Sequence, residues 1–79
     1  MEKSLYSKRH KLLVEFLREA RKNAGLTQQE VADRLRKPQS FVAKYENGER
    51  RLDFVEMIDV AGVLGFDLNN LVLQLGAEI

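Results

Sequence analysis

The stretch Thr27–Gly48, TQQEVADRLRKPQSFVAKYENG, decides how the chain folds. Thr27 has the side chain of a helix N-cap, and Glu30 completes a capping box, in which two side chains satisfy otherwise unpaired backbone N–H groups. Pro38 cannot continue this first helix, because it lacks an N–H group and biases the residue before it away from helical dihedral angles. It can open a second helix, which ends at Gly48. The stretch therefore predicts two short helices joined by a tight turn.

The second of these helices has only a narrow apolar stripe. Val42 and Tyr45 face inwards at i, i+3 spacing, and most of the remaining side chains are short or polar. We expect Phe41 to pack against the turn rather than against a sugar or a thymine methyl group. The outward side chains are Gln39, Ser40, Ala43, Lys44 and Asn47. A short helix with this surface suits the major groove of DNA, which admits an α-helix.

Three short motifs at these spacings resemble those of the Xre/Cro-like (lambda-repressor-like) helix-turn-helix domain. They are the runs Leu26-Thr27-Gln28, Glu46-Asn47-Gly48 and Leu64-Gly65. The similarity covers roughly Leu13–Leu71, and it implies an all-α, five-helix DNA-binding domain with the helix-turn-helix at helices 2 and 3. The chain departs from the family in the turn, where Arg36 and Lys37 replace the usual Gly and a small or apolar residue. A non-Gly residue at positive φ in this turn carries a strain cost, and the two cations lie beside the expected DNA face.

The resemblance assigns roles to individual residues. It implies that Gln39, Ser40 and Lys44 read bases, since Gln can bond adenine in a bidentate manner and Lys can donate to guanine. Phosphate contacts are expected from Gln28, Arg36, Lys37, Asn47, Arg50 and Arg51. Among these, Gln28 stands at a helix N-terminus, where the helix dipole favours an anion. The resemblance also implies an ion pair between Arg21 and Glu46 that anchors the recognition helix; the alternative is two independent exposed charges.

Length and composition indicate one small domain over residues 1–79. Residues 1–11 form either a basic N-terminal arm that tracks phosphates or simply a solvated helix start, and residues 72–79 form a C-terminal tail.

The chain has no cysteine, which excludes disulfides, iron–sulfur clusters and thiolate zinc sites. With a single histidine, we expect no metal and no cofactor. No apolar run approaches the ~20 residues of a membrane span, and the first residues lack the apolar segment of a signal peptide, so we expect a cytoplasmic, nucleoid-associated protein.

Charge is distributed unevenly along the chain. Residues 1–52 carry all thirteen Lys and Arg against seven Asp and Glu, a net charge of +6, whereas residues 53–79 carry five acids and no Lys or Arg, a net charge of −5. Nucleic-acid binding requires cations where the phosphates lie rather than a basic average. Together with the helix-turn-helix pattern, the asymmetry indicates a basic DNA face and an acidic far side.

The flanking segments are read as three further helices. Leu12–Ala24 has the pattern of helix 1, which Ser7 can cap, so that its start is open by several residues; His10 is expected to be exposed, and helix 4 begins at Asp53. Its predicted buried stripe is Phe54, Met57, Ile58, Ala61 and Leu64, and Gly62 is expected at a close helix contact. Asp67 caps helix 5.

The tail carries more apolar residues than one face of a terminal helix can bury, which is typical of an interface. Dimer contacts are expected from Leu71, Val72, Leu73 and Leu75. We favour a helix and a homodimer, although the alternation of apolar residues leaves open a strand exchanged between subunits.

These features favour a sequence-specific regulator of transcription, a repressor that binds double-stranded DNA as a homodimer on a pseudo-palindromic operator. Alternatives are the antitoxin of a toxin–antitoxin pair or a restriction–modification controller, either with a protein partner encoded nearby, or a protein-interaction module that has lost DNA binding. An enzyme is not expected, because no nucleophile–base pair, paired carboxylates or phosphate loop can be assembled from the sequence.

Overall fold

The computed structural model describes residues 7–76, and this part of the chain contains five α-helices and no strand. The helices are α1 (Lys8–Asn23), α2 (Gln28–Leu35), α3 (Gln39–Glu46), α4 (Phe54–Leu64) and α5 (Leu68–Gly76). Helices α2 and α3 form the helix-turn-helix. The predicted all-α fold of five helices is therefore confirmed, and residues 1–6 of the predicted arm and 77–79 of the tail lie outside the described residues.

Side chains define the beginnings of α1, α2 and α4. The Thr27 hydroxyl accepts from the Glu30 N–H at 3.1 Å, and the Glu30 carboxylate accepts from the Thr27 N–H at 2.9 Å. Asp53 and Glu56 form the second predicted capping box at α4. Ser7, the cap that the sequence offered for the first helix, accepts from the backbone N–H three residues later, so α1 begins at Lys8.

The turn between α2 and α3 is built on a left-handed residue that is not glycine. Arg36 has φ 59° and ψ 43° and is the C-cap of α2. The next N–H, that of Lys37, returns to the Ala32 carbonyl at 2.9 Å. Pro38 is the N-cap of α3 rather than its first helical residue, with an extended ψ of 154° and a carbonyl that accepts from the Phe41 N–H. Because proline has no side-chain acceptor, α3 begins without a side-chain cap.

The core lies between α1, α2, α3 and α4. Its largest fully buried apolar side chains are Leu17, Val31, Val42, Tyr45 and Val60. Helix α5 packs back on α1, and the Phe16 and Phe66 rings meet edge to face at a centroid distance of 5.0 Å. Such edge-to-face pairs stabilise a core beyond the apolar area that they bury.

The buried face of α4 differs in part from the predicted one. Ala61 and Leu64 are buried as predicted, but Phe54 and Ile58 are 74% and 46% exposed, and Val60 is buried in addition. Helix α4 is apolar on most of its circumference, so two overlapping stripes at helical spacing were available and the sequence pattern could not decide between them. Gly62 also contradicts expectation, because it is exposed and a Cβ atom added there would have no neighbour within 4 Å.

His10, predicted to be exposed, is buried, with 7% of its surface accessible. Because α1 begins at Lys8, His10 lies on the same inward face as Val14 and Leu17. Its ring lies against Gly48, with Nε2 4.0 Å from the place where a Cβ atom of residue 48 would stand. Burial, followed by the positive charge of Arg51, lowers the pKa of His10.

Residues 7–76 include no single helix that is long and apolar enough to cross a membrane; α4 and α5 reach that length and composition only as a pair bent by 115°. The same residues contain no cluster of three His, Asp or Glu side chains arranged to hold a metal ion.

Candidate nucleic-acid interface

Helix α3 separates a buried face from a polar exposed face. Its buried side chains are Phe41, Val42, Tyr45 and Glu46. Gln39, Ser40 and Lys44, the three residues expected to read bases, are all exposed on the other side, and Ala43 is half-buried between them. The helix thus offers two hydrogen-bonding side chains in its first turn and one cation a turn later. This is a surface that can meet base edges in a major groove.

A buried carboxylate holds α3 on α1. The Glu46 side chain is 0% exposed, and Arg21 donates to it from Nε at 2.7 Å and from a terminal nitrogen at 3.1 Å. Arg21 also donates to the Leu26 carbonyl at 3.0 Å, so its guanidinium joins three segments of the chain. Hydrogen bonding to Glu46 raises the pKa of Arg21. The ion pair expected from the resemblance is therefore present, and it is not a pair of independent exposed charges.

Arg18 is a second partner of Glu46 that the sequence did not indicate. It donates to the Glu46 backbone carbonyl at 2.7 Å, and its Nε lies 3.7 Å from the carboxylate. Arg18 precedes Arg21 by three residues, so the two lie on one face of α1. This i, i+3 spacing is the sequence signal that could have indicated Arg18, because two cations on one helix face can both bond the buried acid that this face meets.

The network continues from the buried acid to the exposed face. The Gln28 amide donates to Glu46 at 3.0 Å, and its oxygen accepts from the Gln39 amide at 2.7 Å. The side chain of Gln28 is thus engaged inside the protein, while its backbone N–H, at the first position of α2, has no partner within the helix. A phosphate contact by Gln28 is open to this backbone N–H and to the second N–H of its side-chain amide. Gln39 keeps its amide oxygen and one amide N–H for a further partner.

The turn and the end of α3 carry the other predicted phosphate ligands. Arg36, Lys37 and Asn47 are exposed, and Asn47 is the C-cap of α3. The Lys37 ammonium lies 5.4 Å from the ring centroid of Phe41. Phe41 is 8% exposed and packs edge to face on Tyr45, which agrees with the expectation that it packs inside rather than against DNA.

The two arginines after Gly48 are in different situations. Arg51 is exposed, and within residues 7–76 no carboxylate forms a salt bridge with it. Arg50 donates to both carboxylate oxygens of Glu56, at 2.9 and 2.8 Å. Arg50 was predicted to contact phosphate, but its guanidinium already has an acidic partner, because Glu56 in the capping box of α4 lies within its reach.

The tail is helical up to Gly76, which decides between the two conformations left open for it. Val72 and Leu73 are 64% and 73% exposed, whereas Leu71 is only 3% exposed. Leu71 was predicted as a dimer contact, and this is wrong: it packs inside the domain, because it lies on the face of α5 that packs against α1, whereas the next two residues point away from it. Leu75 is half-buried.

Comparison with known proteins agrees with this geometry. A family model described as helix-turn-helix matches residues 17–71. Among solved structures, the chain is similar to an XRE-family like protein from Pseudomonas syringae pv. tomato str. DC3000, with 48% sequence identity, coverage of 89% of this chain and 85% of that chain, and a TM-score of 0.82. No curated protein matches the chain significantly. The chain therefore belongs to the Xre family of helix-turn-helix proteins, a family of DNA-binding transcription regulators.

Proposed function

We propose that this protein is a sequence-specific repressor that binds a pseudo-palindromic operator in double-stranded DNA as a homodimer. The observation that carries the proposal is the exposed polar face of α3, with Gln39 held by the hydrogen-bonded chain through Gln28 to the buried Glu46. A side chain that is already oriented loses less conformational freedom on binding, which favours recognition. A repressor of this kind acts in the cytoplasm, in association with the nucleoid, and its function requires no catalysis.

Base reading in this proposal belongs to three side chains of α3. Gln39 presents one amide oxygen and one N–H, the pair that a bidentate contact with adenine needs. Lys44 is a cation that can donate to guanine, and Ser40 can bond either kind of base edge. Each good bidentate contact would contribute about 1–3 kcal/mol of discrimination against the wrong base.

Phosphate contacts in this proposal surround the base-reading face. The backbone N–H groups that open α2 supply one site, since a helix N-terminus favours an anion. The cations Arg36, Lys37 and Arg51 and the amide of Asn47 are exposed nearby in the chain. These contacts set the position of the domain on DNA, and sequence preference comes from α3.

Self-association is assigned to the exposed side of α5. Val72 and Leu73 are its large exposed apolar residues, and the whole helix Leu68–Gly76, LNNLVLQLG, carries no charged side chain. A two-fold axis brings identical patches together, so a charge-free helix avoids like-charge repulsion in this arrangement. A dimer built in this way would place two recognition helices on half-sites about 34–36 Å apart.

The deciding experiment is selection of bound duplexes from a random DNA pool at about physiological salt. We expect a motif with two-fold symmetry and half-sites about one helical turn apart. An asymmetric motif would remove the homodimer from the proposal but keep sequence-specific binding. Enrichment of no motif, with only weak salt-sensitive retention, would contradict the proposal and favour a module that binds another protein.

A further inference from the structure

The loop between α3 and α4, residues 47–53, contains a cluster that links both helices. The Arg50 guanidinium carbon lies 4.7 Å from the centroid of the Phe41 ring on α3. The same guanidinium donates to both oxygens of Glu56 on α4 and, at 2.8 Å, to the carbonyl of Arg51. Arg50 therefore stacks on one helix, pairs with the next and bonds the loop between them.

Glu56 serves two neighbours with one carboxylate. Its Oε1 accepts from the Asp53 N–H at 2.9 Å, which caps α4, and from Arg50 at 2.9 Å. The hydrogen bond from Arg50 is the largest cause that lowers the pKa of Glu56. A bidentate Arg–carboxylate pair fixes geometry as well as energy, and a guanidinium also stacks on an aromatic face. The Glu56 side chain is 18% exposed, so it is partly shielded from water.

We infer that Phe41, Arg50 and Glu56 form a brace, which sets the loop against the recognition helix, and that Arg51 is the loop residue that contacts phosphate. Arg50 is then a positioning residue rather than a DNA ligand, although both arginines follow Gly48 in the sequence. The inference rests on the proposed DNA-binding function for the role of Arg51, while the brace itself is a property of the free protein.

The salt dependence of DNA binding separates the two arginines. Each phosphate contact contributes about 0.9 to the slope of log K against log salt concentration. With a labelled duplex of about 20 base pairs, two helical turns long, we expect Arg51→Gln to reduce the slope by about 0.9 and Arg50→Gln to leave it unchanged. Equal reductions in both variants would make Arg50 a phosphate ligand and overturn the inference.

Hydrogen exchange tests the brace without DNA. The N–H groups of Glu49 and Arg50 bond the Lys44 carbonyl, and that of Asp53 bonds Glu56. We expect Arg50→Gln and Glu56→Gln each to reduce the protection factors of these amides severalfold. Gln can replace Glu in a capping box, so Glu56→Gln removes the ion pair and keeps the cap.

Glu30→Gln is the matched control, because it removes one charge from the equivalent capping box of α2, whose carboxylate has no bidentate arginine partner. It should leave the loop protection unchanged. Wild-type protection in both Arg50→Gln and Glu56→Gln would contradict the brace. Absence of any salt-dependent binding by the wild-type protein would instead contradict the proposed function, and the exchange data would still decide whether the brace exists.

Discussion

At the scale of single residues, Arg36 carries a backbone strain that a substitution can relieve. Its φ of 59° lies in the left-handed region, which costs a non-Gly residue on the order of 1 kcal/mol or more. Glycine loses more freedom on folding, which offsets part of the gain. We expect Arg36→Gly to raise the free energy of unfolding by about 0.5–1 kcal/mol in urea denaturation. Arg34→Gly, inside α2, should lower it by about 1 kcal/mol, and destabilisation by both would refute the strain argument.

Lys44 is the residue at which base reading and phosphate binding can be told apart. It is exposed in the last turn of α3. If Lys44 reads a base, Lys44→Ala should relax preference at one position of the selected motif at a cost of about 1–3 kcal/mol. If it contacts only phosphate, binding to all sequences should weaken alike and the salt slope should fall by about 1. Unchanged affinity at every salt concentration would remove Lys44 from the interface.

At the scale of helices, the contact between α1 and α3 depends on the buried carboxylate of Glu46. The Arg21 side chain is 14% exposed, and its loss leaves a buried charge without its principal partner. We expect Arg21→Gln to lower the free energy of unfolding by on the order of 3 kcal/mol. Arg18→Gln is the control, since Arg18 is 40% exposed and more distant from the carboxylate, and its effect should be about 1 kcal/mol. Equal losses from the two variants would contradict the assignment of Arg21 as the main anchor.

At the scale of the whole molecule, two exposed apolar areas are candidates for the interface of the proposed homodimer. Val72 and Leu73 lie on the charge-free α5, and Phe54, Val55 and Ile58 lie on α4 beside acidic residues. We expect Leu73→Glu to shift the protein towards monomer in sedimentation velocity, because a two-fold interface would bring two carboxylates together. Phe54→Glu should leave the dimer intact. The reverse pattern would move the interface to α4.

Stability of the whole domain should also depend on the one histidine. The folded pKa of His10 is lowered, so the unfolded chain binds a proton more readily and acid favours unfolding. The contribution is present above the unfolded pKa of about 6.5 and is lost as pH falls below it. Between about pH 7.5 and pH 5, above the carboxylate range, we expect the free energy of unfolding of the wild type to fall more than that of His10→Gln. Parallel curves would mean that His10 titrates alike in both states.

Local signals correctly predicted the helix-turn-helix and the side chains that cap α1, α2 and α4, whereas Pro38 precedes α3 instead of opening it. Thr27, Glu30, Asp53 and Glu56 act on backbone groups within one turn, so their roles can be read without knowing the rest of the fold. The outward face of α3 was also predicted correctly, because its apolar stripe is narrow and leaves a single choice. The Arg21–Glu46 pair came from the resemblance to the family rather than from local pattern, since the two residues are distant in sequence.

The sequence by itself determined the five helices, the caps of α1, α2 and α4 and the residues that α3 presents outwards, because each follows from interactions over a few residues. Only the tertiary structure decided which face of α4 is buried, that Leu71 and His10 lie inside, and that Arg50 has Glu56 as its partner. These outcomes depend on how rigid helices pack together. A helix that is apolar nearly all round can turn either stripe to the core, and a cation can meet any acid that packing brings within reach, so the choice is made by the whole molecule.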